Sequence, residues 1–99
     1  MSMPETRLRI DLIIDRLIVL LGEEPSPRDT MLRIARRLTD KDLCDHWPKP
    51  NETAFQFAHN ILEDNIAAWD CIASMGWPDD LSAIESAEEL ISLFLPSAN

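Results

Sequence analysis

The chain has 99 residues, is 45% hydrophobic and 27% charged, contains two Gly and no Tyr, and sets nine Lys and Arg against 18 Asp and Glu for a formal charge of −9. That length predicts one domain with one modest core, and the apolar fraction excludes a disordered chain. Two Gly exclude a Gly-rich phosphate loop and leave little room for the repeated tight hairpins of an all-β fold.

Punctuation and periodicity divide the chain into helices. Ser2-Met3-Pro4-Glu5 has the form of a capping box with Pro in the first turn, and Gly22 is a natural stop, so a first helix is predicted over 4–21. It carries two apolar strips. Ile10, Ile13, Ile14, Leu17, Leu20 and Leu21 form the broad one. Leu8, Leu12 and Val19 form a second on nearly the opposite side, flanked by Asp11 and Asp15 on one edge and Arg9 and Arg16 on the other. A helix apolar on two sides is sandwiched or covered by another chain, and sandwiching is hard in so small a domain. The Leu8/Leu12/Val19 strip is therefore a candidate homodimer or partner contact.

Ser26-Pro27 pairs an N-cap with a first-turn Pro and opens a second helix over 27–38. Its apolar seam is narrow (Met31, Ile34, Ala35, Leu38), and Arg28, Arg33, Arg36 and Arg37 lie outside it, either solvated or paired with the acidic second half. Thr39 is placed to cap a short third helix over 40–46, stopped by Pro48 and Pro50. Asn51 is placed to cap the longest element, a central helix over 52–75 with Gly76 and Pro78 beyond its end. Phe55, Ala58, Leu62, Ile66, Trp69 and Ala73 form its core stripe, widened by Ala54, Phe57, Ile61, Ala68, Ile72 and Met75. Asn65 interrupts that arc and needs a hydrogen-bond partner, either a carbonyl of a neighbouring helix or loop or a group across an interface. Asp79 to Ile84 suits one more turn, and Ser86-Ala87-Glu88-Glu89 opens a last helix over 87–94 before Pro96. The expectation is all-α: a small irregular bundle of four to five helices with a long central helix, in a single domain over 1–99.

The charge is segregated. Residues 1–49 hold all nine bases and nine acids and are neutral, whereas residues 50–99 hold nine acids and no Lys or Arg. Such a field repels nucleic acid and anionic lipid and attracts basic protein surfaces, including those that bind phosphate. The start of the chain lacks the basic and apolar regions of a secretory signal, and the apolar stretch from Leu8 to Leu21 is interrupted by four charges, which excludes a membrane span. Two cysteines, Cys44 and Cys71, make no disulfide framework, so the expected setting is cytoplasmic.

Chemistry finds little support. Cys44, His46, His59 and Cys71 do not have zinc-finger spacing, and on a continuous helix His59 and Cys71 stand roughly 18 Å apart. Asp42 and Asp45 beside Cys44 raise rather than lower its thiol pKa, and Glu63 and Asp64 point about 100° apart on a helix. A recognition helix over 40–46 would present three acids to phosphate, the wrong sign for DNA. No catalytic residue, metal or cofactor is expected. The chain reads as a non-catalytic module whose acidic face (Glu63, Asp64, Asp70, Asp79, Asp80, Glu85, Glu88, Glu89) binds and occludes a basic surface of a partner protein. In composition it resembles small acidic inhibitors such as immunity proteins and phage-encoded blockers of nucleic-acid machinery. The alternative is a structural or regulatory homo-oligomer assembled through the first helix.

Overall fold

The computed structural model describes residues 3–65, 81–93 and 95, with side chains from Ile10 onward. Within them the chain is helical, with no strand. Helix α1 spans Met3–Glu23, α2 spans Pro27–Asp40 and α3 spans Ala54–Asp64; a 3-10 turn follows at Leu81–Ala83 and a short helix α4 at Ala87–Ser92. α1 packs against the other three helices and the 3-10 turn, and α2 packs against α3 and α4.

The core follows the apolar periodicity. Ile10, Ile13, Leu17, Leu20 and Leu21 of α1 meet Met31, Ile34, Ala35 and Leu38 of α2, Phe57, Ala58, Ile61 and Leu62 of α3, and Ala87, Leu90 and Ile91 of α4. Each fully buried Leu, Ile or Phe contributes roughly 1.5–3 kcal/mol relative to exposure, so this cluster drives the association of the helices.

Several boundaries differ from the expectations, each for a local reason. Gly22 does not stop α1, which continues to Glu23. The helix expected over 40–46 is absent: α2 continues to Asp40 and closes in a Schellman turn. There the Asp42 N–H donates to the Thr39 carbonyl at 3.1 Å and the Leu43 N–H to the Leu38 carbonyl at 2.9 Å. Asp42 takes the left-handed position with φ 57°, a place usually filled by Gly. Residues 44–49 are then irregular, held to α2 by Arg28, whose guanidinium donates to the carbonyls of Pro48 (2.8 Å) and Lys49.

The cap of α3 is Thr53, not Asn51. Its hydroxyl accepts from the Gln56 N–H and the Gln56 side chain accepts from the Thr53 N–H, both at 3.1 Å, forming a full capping box. The continuous helix expected over 52–75 is also corrected, because α3 ends at Asp64 and Asn65 leaves helical dihedrals (φ −124°, ψ 30°). Asn65 is buried, and its Nδ2 donates to the Ile61 carbonyl of its own helix at 2.9 Å, rather than to a neighbouring element. The stripe positions Ile66 to Met75 lie outside the described residues. Ser86 caps α4 as expected, its hydroxyl accepting from the Glu89 N–H at 3.0 Å, and the helix stops at Ser92.

Candidate functional site

The acidic residues fall into two described groups. Glu63 and Asp64 are exposed at the C-terminal end of α3. Glu85 and Glu89 are exposed around the start of α4, where Glu89 Oε1 accepts from the Glu85 N–H at 2.9 Å. Glu88 is half-buried and accepts from Arg33 Nε at 2.6 Å and Arg37 Nη1 at 3.5 Å, so it is neutralised within the fold. The hydrogen bond to Glu88 is the main reason the Arg33 guanidinium sits above its ordinary pKa. Asp70, Asp79 and Asp80 lie outside the described residues.

Four arginines are engaged away from the exposed acids. Arg16 reaches from α1 to donate through Nη2 to the carbonyls of Ser82 (3.3 Å) and Ile84, bracing the turn before α4. Arg28 holds the irregular segment, and Arg33 and Arg37 share Glu88. Four of the chain's bases are thereby engaged by carbonyls or by one carboxylate. The pairing of Arg33 and Arg37 with the acidic second half was one of the two sequence expectations, whereas the carbonyls taken by Arg16 and Arg28 were not legible, standing 20 to 68 positions away.

The outer face of α3 carries an unexpected ladder. Phe55, placed in the core stripe by periodicity, is 57% exposed, while Phe57 is fully buried in its stead. The Phe55 ring stacks on the His59 ring with centroids 6.0 Å apart and planes 20° apart, and His59 Nδ1 lies 3.3 Å from Glu63 Oε1. Phe55 and His59 also line a groove of about 570 Å³ together with Lys49, Glu52, Gln56 and Asn60.

At the base of that groove Glu52 organises a buried polar hub. Its side chain, 3% exposed, accepts from His46 Nε2 (2.7 Å), the Lys49 N–H (2.9 Å) and Asn60 Nδ2 (3.0 Å). Burial by itself pushes the Glu52 carboxyl up. The hydrogen bonds from Lys49, Asn60 and His46, with the charge of His46, outweigh it and hold the group below its ordinary range. Sequence reasoning missed this hub, since the five residues between His46 and Glu52 are non-helical and carry no periodic signal.

Nothing at Cys44 resembles an activated nucleophile. Burial pushes its thiol up, only partly offset by hydrogen bonds from the His46 N–H and Asn65, and the His46 ring is turned to Glu52. Cys71 lies outside the described residues. Among the described residues no group of three or more His, Cys, Asp or Glu side chains is placed to hold a metal ion, and no helix is long and apolar enough to cross a membrane.

Of the second strip on α1, Leu12 is 59% and Val19 48% exposed; the Leu8 side chain lies outside the described ones. No family model matches the chain, and neither a curated protein nor a solved structure matches it.

Proposed function

We propose that this chain is a non-catalytic, acidic interaction module, carried on a small helical bundle, that docks on a basic surface of a partner protein and occludes a site used there for phosphate or nucleic acid. One observation carries the reading: four of the bases available to balance the acids are already engaged within the fold. Arg16 and Arg28 cap backbone carbonyls and Arg33 and Arg37 converge on Glu88, while Glu63, Asp64, Glu85 and Glu89 stay exposed. An uncompensated anionic surface steers toward a cationic one and excludes polyanions from it. Cys44 is buried and its thiol raised, which argues against that residue as a nucleophile.

The test is affinity capture from a cell lysate with immobilised protein. A partner released by raised salt and displaced by heparin is expected, with retention sharply reduced for Glu63→Lys/Asp64→Lys/Glu85→Lys. Equal retention by that variant, or no salt-sensitive partner, overturns the reading.

Exposure of Leu12 and Val19 on one side of α1 favours a second reading, a homo-oligomer assembled through that strip together with Leu8. Sedimentation separates the two. A strict monomer at high concentration removes the oligomer, and a dimer abolished by Leu12→Glu/Val19→Glu establishes it.

A further inference from the structure

We infer that the outer face of α3 is a recognition site for arginine side chains, with Phe55 and His59 as the stacking platform and Glu63 as the counter-ion. This inference rests on the acidic-docking reading and names its site. Phe55, His59 and Glu63 succeed one another at four-residue steps and touch in turn, ring on ring and then imidazole on carboxylate. The ladder spans about 12 Å along the helix, long enough for two guanidinium groups side by side. An exposed Phe at the edge of a groove of about 570 Å³ is an apolar surface with nothing covering it among the described residues.

Charge decides what fits there. Glu52 lies buried in the lining with its carboxylate bonded to His46, Lys49 is exposed there, and Glu63 stands one turn beyond His59. A phosphate or an acidic peptide meets the exposed Glu63 carboxylate where the ladder ends. A bare apolar plug leaves that carboxylate unused. A guanidinium satisfies both halves, since its plane stacks on an aromatic ring while its N–H fork bonds a carboxylate. Lysine offers a point charge without the plane, so the site discriminates between the two cations.

The test uses the whole chain, isotope-labelled, titrated with an amidated peptide alternating Gly and Arg and with its Gly-Lys counterpart of equal length and charge. The Arg peptide is expected to shift the amide resonances of Phe55, His59 and Glu63 and to bind roughly two- to fivefold tighter than the Lys peptide. Phe55→Ala, at a position outside the core, is expected to erase that preference with circular dichroism unchanged. Glu63→Gln should weaken both peptides more than Asp11→Asn, which removes the same charge from α1. Shifts confined to other acids, or an Arg preference surviving Phe55→Ala, overturn the inference and leave acidic docking standing. Neither peptide binding at low salt overturns both. Concentration-dependent shifts at Phe55 without peptide assign the face to a second copy of the chain and also overturn it.

Discussion

Glu52 is the residue whose loss the fold should feel most among its charged groups. Its carboxylate is almost fully buried and accepts from His46 Nε2, the Lys49 N–H and Asn60 Nδ2. Hydrogen bonds to a charged group are worth roughly 1.5–3 kcal/mol each when broken, but these three form one network and do not add. Glu52→Ala strands three donors around an empty space, and we expect it to cost about 2–4 kcal/mol, a large share of the roughly 5–15 kcal/mol typical of a domain. Glu52→Gln keeps the shape but turns an amide N–H toward donors, for about 1–2 kcal/mol. The assay is urea unfolding followed by far-UV circular dichroism, with a double-mutant cycle against His46→Gln, whose coupling should reach about 1 kcal/mol.

The pH dependence follows in sign. Because the folded carboxyl sits below its ordinary value of 4.5, its stabilisation is fully present above that value and is lost as pH falls through the lower folded one. The gap between the native chain and Glu52→Gln should therefore narrow on acidification below the ordinary carboxylate range. A Glu52→Ala variant within about 0.5 kcal/mol of the native chain near neutral pH, or a gap indifferent to acid, would refute the argument.

Three further outcomes are expected. Asp42→Gly relieves a left-handed backbone at the Schellman turn and should raise stability by roughly 0.5–1 kcal/mol, read as a higher urea midpoint at unchanged slope; a lower midpoint would show that the Asp42 side chain makes a compensating contact. Gly22→Ala places a Cβ where nothing lies within 4 Å, inside a helix that favours Ala, and should stabilise by roughly 0.5–1 kcal/mol in the same assay, a loss contradicting the helical setting. In a Cys71→Ser background, Cys44 should react with a thiol reagent roughly tenfold or more slowly when folded than in urea, because burial disfavours its thiolate; equal rates would mean the site opens freely.

The starts of two helices were readable, although the Ser26 side chain makes no capping hydrogen bond. Ser26-Pro27 opens α2, Ser86 caps α4, and the seam Met31, Ile34, Ala35 and Leu38 is buried as its spacing requires. The end of α3 was not, because apolar spacing resumes past Asn65 at Ile66 and Trp69, and a single polar interruption does not register as a backbone break. The break accompanies an amide that turns back on the Ile61 carbonyl and bonds Cys44, a residue 21 positions upstream. The stop at Asp42 was hidden for a related reason: an Asp in a left-handed turn looks in sequence like the first turn of another helix. Within the candidate site, Glu63 was legible as charge, whereas Phe55, two turns before it, was assigned to the core together with Phe57, and only packing shows that two aromatic residues two positions apart do not both face inward.

Composition and short-range spacing were enough to determine a helical chain, its main apolar seams and a surplus of carboxylates confined to the second half, since each depends on neighbours within about one turn. Tertiary packing alone decided which partner each guanidinium group takes, which Phe is left in solvent and which carboxylate is buried with His46. Those outcomes are settled by competition among groups distant along the chain for the same carbonyl, cavity or charge, and no local pattern encodes the winner.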